Sequence, residues 1–287
     1  MIQFLKQIKQ SLEIQLSPKS YKSKFFRTIE SLNWKNIQSK NIENELLLLQ
    51  YFLKKDDQFI DVGANLGQYL FVADGLVPAN NIYGFEPHPK LAERLRQLFP
   101  GIHISQDALS NSSGKTQFKI PFFDNREIHT RGTLKTEHRE TGETRSKLID
   151  VNISTLNDFV SQQQLNSIAL IKIDVEGAEF DVVAGATDVI KTQQPVMIIE
   201  IEQRHHSSNI LDFIRNTEQD FAYTCYYFSA REQQFKNDIL SKDISDLQSA
   251  DHHGKSRDFI NNFIFVPNTG KHAADIASIN AKIAQAN

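Results

Sequence analysis

The segment Phe59-Ile60-Asp61-Val62-Gly63-Ala64-Asn65-Leu66-Gly67 sets a carboxylate and two glycines where an apolar run gives way to a helical pattern. Glycine at such a turn lets a ligand approach the backbone closely. A pyrophosphate-binding turn asks for three glycines spaced G-x-G-x-x-G at a helix N-terminus. This stretch offers only Gly63 and Gly67, and Asp61 repels an anion while attracting a cationic amino-acid moiety. The next apolar run, Ile82-Tyr83-Gly84-Phe85, ends on Glu86, where an acid can accept from both hydroxyls of a ribose. A third run ends at Ser105-Gln106-Asp107-Ala108, which sets Asp107 and Ala108 where an adenine amino group would lie. Asp61, Gly63, Asn65, Gly67, Glu86, Asp107 and Ala108 are therefore the candidate cofactor-binding residues.

A nucleoside carrying a cationic amino acid describes S-adenosylmethionine, which also bears a sulfonium. Beside that cofactor the segment Lys172-Ile173-Asp174-Val175-Glu176-Gly177 would project Lys172, Asp174 and Glu176 to one face by the two-residue strand period. Methyl transfer needs an acceptor oxygen held in line and relieved of its proton. These three are the candidate catalytic residues, with Asp174 as base or acceptor-orienting group; the competing reading is a buried ion pair closing the strand end. No metal is assigned, although Glu200 with Asp174 would offer oxygens to a hard cation. His205-His206 and His252-His253 are further sources of a base or of nitrogen ligands. The polar stretch 121–147, with Phe122, Phe123, Arg126, His129 and Arg131, is expected to be a long loop that grips the acceptor.

Three of these segments, Asp61 to Gly67, Phe85-Glu86-Pro87-His88-Pro89 and Leu170-Ile171-Lys172-Ile173-Asp174-Val175-Glu176-Gly177-Ala178-Glu179, resemble the FkbM family of S-adenosylmethionine-dependent methyltransferases. Weaker support comes from Ala108-Leu109-Ser110, Thr155-Leu156-Asn157-Asp158-Phe159 and Asn262-Phe263-Ile264-Phe265-Val266-Pro267, and the likeness spans about residues 42–267. Two departures stand out: Lys54-Lys55-Asp56-Asp57 replaces the family's Pro-Gly turn, and Asn157 replaces an acid. The resemblance implies a doubly wound α/β fold with a seven-stranded, mostly parallel Rossmann-like sheet. It also implies O-methylation of a saccharide or natural-product hydroxyl. A nicotinamide-dependent oxidoreductase and a noncatalytic cofactor-binding protein are the alternatives. The missing third glycine argues against the first, and the Lys172-Asp174-Glu176 cluster against the second.

The elements that must position these residues follow from hydrophobic period. Apolar runs at 58–62, 81–85, 102–105, 168–174 and 195–201 alternate with helical patterns near 66–73, 89–98, 155–163 and 177–191, the signature of a parallel sheet covered by helices. Lys115 to Ile120 reads as an extra strand, Phe221–Phe228 with Phe259–Val266 as a C-terminal antiparallel hairpin, and 271–287 as a terminal helix.

Composition bounds the function. With 40% hydrophobic and 23% charged residues the chain is neither collagen-like nor wholly disordered, and its net charge of −3 lacks the basic surplus that nucleic acid attracts. A single cysteine, Cys225, cannot form an internal disulfide, and the longest stretch without Asp, Glu, Lys or Arg is 13 residues, too short to span a bilayer. Without a secretory signal pattern at the start, the expectation is a cytoplasmic protein. Residues 1–40 are basic, with a local balance of +6, and Ile2, Leu5, Ile8 and Leu12 form a helical stripe. This extension precedes the catalytic domain at 41–287 and could pack on it or support a homo-oligomer.

Overall fold

The structure is a computed structural model that describes residues 12–40, 42–124, 126–248 and 259–287. Its frame is an eight-stranded sheet. The strands are β1 (Gln58–Val62), β2 (Ile82–Phe85), β3 (His103–Ser105), β8 (Ile168–Ile173), β9 (Val196–Glu200), β10 (Tyr223–Ser229), β11 (Gln234–Lys236) and β12 (Asn262–Pro267), in the order β11-β10-β12-β9-β8-β1-β2-β3. The five from β9 to β3 run parallel, and β12, β10 and β11 join antiparallel at one edge. Strand order reverses direction between β1 and β8, which opens a crevice at their C-terminal ends.

A second, four-stranded sheet inserts between β3 and β8, and the extra strand expected at Lys115 to Ile120 is the only part of it that the sequence reading placed. It comprises β4 (Ala108–Leu109), β5 (Gly114–Phe123), β6 (Arg126–Glu127) and β7 (Arg145–Ser154) in the order β4-β7-β5-β6. The expected loop at 121–147 is in part strand: it begins with the end of β5, strand β6 and a short turn at His129–Arg131, runs without helix or strand over 132–144 apart from an isolated bridge at Thr133, and ends at the start of β7. The count of seven strands is also corrected, because β11 adds to the edge of the main sheet. Phe221–Phe228 and Phe259–Val266 do meet antiparallel, as β10 and β12, but the strand that follows β10 directly and pairs with it is β11.

β8 is buried along its whole length, as a strand covered on both faces must be, and its sequence Ile-Ala-Leu-Ile-Lys-Ile is apolar but for Lys172. The alternation of side chains divides the core in two. Phe59, Leu170, Val196, Ile198 and Ile264 pack on one face, and Ile60, Ile171, Ile173, Met197 and Ile199 on the other. Asp61 is in register with Lys172, and Asn262 with Glu200. The same alternation sets Asp61, Lys172, Glu200 and Asn262 on the first face, at the end of the sheet where the crevice opens.

That face is covered by helices Gln68–Asp74, Glu45–Phe52 and Pro18–Glu30. In the last, Phe26 is fully buried and stacks on Phe71 at 4.5 Å between ring centroids, while Lys22 pairs with Asp74 at 2.6 Å. Ile2, Leu5 and Ile8 of the N-terminal stripe lie outside the described residues, and Leu12 is exposed. Among the described residues no helix is long and apolar enough to cross a membrane.

Both departures from the family pattern have a local explanation. Asp57 closes the turn into β1: its carboxylate accepts from Lys54 N at 2.9 Å and its own N–H donates to Lys54 O at 3.0 Å. Asn157 Oδ1 accepts from Asp188 N and Val189 N, satisfying two N–H groups at the start of helix Thr187–Gln193 that have no partner within the helix.

Candidate functional site

The C-terminal ends of β1, β2 and β8 and the start of β4 meet the inserted sheet around an open cleft of about 550 Å3. Of the candidate cofactor residues, Gly63, Asn65, Glu86, Asp107 and Ala108 line it, and of the candidate catalytic residues, Asp174 and Glu176. Asp61 is the buried neighbour of Gly63 on β1, and Gly67 begins the helix Gln68–Asp74.

The β1 turn needs its glycines. Gly63 has φ +85°, and a Cβ there would lie 1.8 Å from the carbonyl oxygen of Asp174, so only glycine lets the β1 and β8 ends approach this closely. Asp174 N donates to Val62 O at 2.9 Å across the same junction. Asn65 also adopts a left-handed backbone, φ +48°.

Glu86 is 5% exposed and held by backbone alone: Oε2 accepts from Asn65 N and Oε1 from His88 N, each at 2.8 Å. Each oxygen thus keeps acceptor capacity for a ligand. Burial pushes its carboxyl up to about 7, against the pull of those two N–H groups. Among the described residues Asp61 Oδ2 and Asn65 Oδ1 are buried acceptors with no hydrogen-bond partner. Unpaired buried acceptors are costly, so two beside a glycine turn mark a place for a ligand's donors. Burial, opposed by Lys172, holds the Asp61 carboxyl up at about 8.

Lys172 is fully buried on the first face, with Nζ 3.2 Å from Asn262 Oδ1, 3.9 Å from Glu200 Oε2 and 5.3 Å from the centre of the Tyr69 ring. Tyr69 donates in turn to Glu43 Oε2 at 2.7 Å. Burial disfavours the charge on Lys172, but Asp174, Glu200, Glu43 and Asp61 together outweigh it and raise its pKa. Glu43, Tyr69 and Asn262 belong to this buried network although the sequence reading gave them no role. The spacing of Lys172 and Asp174 carries no information about residues so distant in the chain.

Burial raises the Asp174 carboxyl to about 6, while Lys172 and a hydrogen bond from Glu200 restrain it. The two-residue period ends at Ile173. Glu176 sits in a left-handed turn, φ +53°, and aims its carboxylate at His205 Nε2, 3.6 Å away. The next acid, Glu179, holds that turn by accepting from Gly177 N at 2.8 Å, and its other oxygen meets His206 Nε2 at 3.0 Å. His206 stacks on Phe180 at 4.0 Å and so props the loop. His252 and His253 lie outside the described residues.

The inserted sheet closes the cleft with His129, as expected, but with none of Phe122, Phe123, Arg126 and Arg131. Phe118, His129, Thr130, Gly132 and Leu134 line it. Phe122 lies under the guanidinium of Arg145 at 3.8 Å, Phe123 lies near Arg131, and Arg126 is exposed. His129 Nδ1 is 2.9 Å from His88 Nε2, and Glu127 lies 3.6 Å from both rings. His88 Nδ1 accepts from Lys90 N at the start of helix Pro89–Leu98, so the neutral ring carries its proton on Nε2 and donates it to His129. Burial pushes His88 down to about 4, consistent with a neutral ring.

An open α/β sheet with a carboxylate-rich crevice at its switch point belongs to the class of folds that bind ligands at that crevice. Within that class, residues 61–225 match the family model described as the methyltransferase FkbM domain, and the chain belongs to that family. It is 30% identical over 146 residues to 2-O-methyltransferase NoeI of Sinorhizobium fredii, a match covering 48% of this chain and 60% of the relative. It is 26% identical over 177 residues to hexuronic acid methyltransferase AglP of Haloferax volcanii, covering 60% of this chain and 68% of that one. A crystal structure of methyltransferase FkbM from Methylobacillus flagellatus KT superposes with TM-score 0.47 at 12% identity, over 82% of this chain and 48% of that one. The match to NoeI therefore spans less than two thirds of that relative's own length.

Proposed function

We propose that the chain is an S-adenosylmethionine-dependent O-methyltransferase whose acceptor is a hydroxyl of a saccharide or natural product. The observation that carries this is the set of unmet acceptors in one cleft: Glu86 with a lone pair on each oxygen, and Asp61 Oδ2 and Asn65 Oδ1 with no partner. All of them ask for donors, and the cofactor has donors at its ribose and its ammonium group. A dinucleotide would instead bring a pyrophosphate, which offers only acceptors, to a turn whose unmet groups are acceptors too.

In this reading residues 41–287 form the catalytic domain and 1–40 a basic extension. Glu86 holds the ribose, Asp61 and Asn65 the amino-acid moiety, Gly63 and Gly67 the close approach, and Asp107 with Ala108 the adenine. When bound, the cofactor supplies an electrophilic methyl group on positively charged sulfur. Asp174 accepts the proton as the acceptor's O–H bond breaks, which leaves the oxygen lone pair to form the new bond. A carboxyl held near 6 is ionised at neutral pH and still basic enough for the task. Lys172 steadies the charge that Asp174 and Glu200 share, and Glu176 orients the acceptor from the rim. The names of NoeI and AglP, a 2-O-methyltransferase and a hexuronic acid methyltransferase, favour a sugar acceptor. A cytoplasmic protein without nucleic acid or membrane partners remains part of the proposal.

The test is ligand-induced stabilisation. S-adenosylhomocysteine should bind and raise the melting temperature by mass action, whereas NAD should not. Stabilisation by NAD alone would replace this reading with the oxidoreductase one.

A further inference from the structure

Four side chains from three distant parts of the chain meet at the rim of the cleft where the inserted sheet touches the main one. One donor atom from each of His138, Glu140 and His205 lies within 4.8 Å of the others. His205 Nε2 is 3.4 Å from Glu140 Oε1 and 3.6 Å from Glu176 Oε2. Donors about 2.0–2.2 Å from one tetrahedral ion stand roughly 3.3–3.6 Å from each other. These spacings already match.

The surroundings hold the donors in place. Glu140 Oε2 accepts from Arg204 Nη1 at 2.7 Å and Arg131 Nη1 at 3.1 Å, which fixes the carboxylate with Oε1 turned toward His205. Thr133 Oγ1 donates to the carbonyl of Glu176 at 2.6 Å and so pins its left-handed turn. Gly177, φ +101°, lets His205 come close, since a Cβ there would be 3.1 Å from the histidine Cβ. The side chains of His205 and Glu140 are 5% and 8% exposed.

A protonated His205 between the two carboxylates would account for part of this arrangement. It leaves His138 unexplained, because Nε2 of that ring is buried with no hydrogen-bond partner among the described residues. A cation shared by both rings satisfies it. The other histidine cluster, His88 with Glu127 and His129, offers a contrast. There the two ring nitrogens are 2.9 Å apart and His88 Nδ1 is occupied by Lys90 N, so the rings satisfy each other.

We propose that His138, Glu140 and His205, with Glu176 as fourth donor, bind one divalent transition-metal ion that ties the inserted sheet to the rim of the main sheet. Two imidazoles with carboxylates suit zinc, cobalt or manganese, and not magnesium or calcium, which prefer oxygen ligands throughout. The inference concerns metal binding alone and shares only Glu176 with the methyl-transfer reading.

The test uses the full, tag-free chain after chelator treatment, titrated with Zn2+ by calorimetry and with Mg2+ as control. One zinc per chain is expected, with no comparable magnesium binding. His138→Ala should weaken zinc binding at least about tenfold, and His129→Ala, in the other cluster, should leave it unchanged. Loss of binding in His129→Ala, retention in His138→Ala or no stoichiometric binding by the unmodified chain would each overturn the proposal. Should a variant fail to fold, anomalous scattering from zinc-soaked crystals of the unmodified chain decides: a peak between His138, Glu140 and His205 supports it, and a peak only elsewhere overturns it.

Discussion

Glu86→Gln preserves the shape of the side chain and removes its charge and one acceptor. In the native protein each carboxylate oxygen takes one backbone N–H at 2.8 Å, from Asn65 and from His88. An amide has a single oxygen, so whichever way it turns its NH2 group faces one of those N–H groups. The loss is one hydrogen bond to a charged acceptor, about 1.5–3 kcal/mol. Against it stands the cost of ionising a carboxyl that burial pushes from 4.5 to about 7. At pH 8 that cost is on the order of 3 kcal/mol. Because that raised value already includes the pull of the two N–H groups, the ligand-free variant should be no less stable than the wild type at pH 8, read as melting temperature.

The sign of the pH dependence follows. Because its folded pKa is raised, the stability Glu86 contributes is fully present below about 4.5 and is lost as pH rises through about 7. The variant should therefore be the less stable protein at pH 5 and at least draw level by pH 8. S-adenosylhomocysteine affinity at pH 8 should fall by about 1.5–3 kcal/mol, roughly 10- to 150-fold, because the ribose hydroxyls lose their acceptor pair. Calorimetry gives the affinity and thermal melting the stability. Unchanged affinity in a folded variant would refute the ribose assignment, and a stability difference that does not shrink between pH 5 and 8 would refute the charge argument.

Asp61 predicts a proton count: burial holds its carboxyl at about 8, and a bound ammonium group favours the ionised form, so S-adenosylhomocysteine binding at pH 7 should release protons. Calorimetry in buffers of different ionisation enthalpy measures this, and proton uptake would count against the assignment. Asp174→Asn should lower kcat by roughly 10²–10⁴-fold with cofactor affinity within about threefold, and the wild-type rate should fall as pH drops through about 6. A rate that is flat from pH 5 to 8 removes Asp174 as the base. Gly63→Ala, at φ +85° and with its Cβ 1.8 Å from Asp174 O, should destabilise the fold by at least about 2 kcal/mol in urea unfolding. A near-neutral change would mean the β1 and β8 ends can part without cost.

The parallel strands were legible because burial on both faces leaves continuous apolar runs: Ile168–Ile173 and Val196–Glu200 are found where the sequence places them. Of the inserted sheet only β5 was, as the extra strand expected at Lys115 to Ile120. β7, Arg-Ser-Lys-Leu-Ile-Asp-Val-Asn-Ile-Ser, has only Val151 fully buried, and its partner β5 begins with exposed Gly114 and Lys115. A wet strand carries a weak hydrophobic period, so its pairing with β5 is set by partners rather than by local pattern. The eighth strand, Gln234–Lys236, is three residues long and buries only Phe235, too little for a period to register.

The cleft divides along the same physical line. Asp61, Gly63 and Asn65 lie at one strand end, and Glu86 is one strand away in a parallel sheet implied by the alternation, so this wall of the cleft could be assembled from short-range signals. Lys172 does interact with Asp174, but the strand period stops at Ile173, where the chain leaves for the Glu176 turn. Its further neighbours, Glu43, Tyr69, Glu200 and Asn262, come from four other segments. The far wall of the cleft does come from 121–147, but mostly by residues other than those singled out there. Phe122 is spent on Arg145 within the inserted sheet, and the residues that reach the cleft are the small and apolar Gly132 and Leu134 with His129. Gly132 is needed there because a Cβ would meet the Phe118 ring at 2.3 Å, and that ring is itself part of the cleft wall. The inserted sheet therefore shapes the cleft by where its backbone comes close, which aromatic and charged composition alone does not reveal.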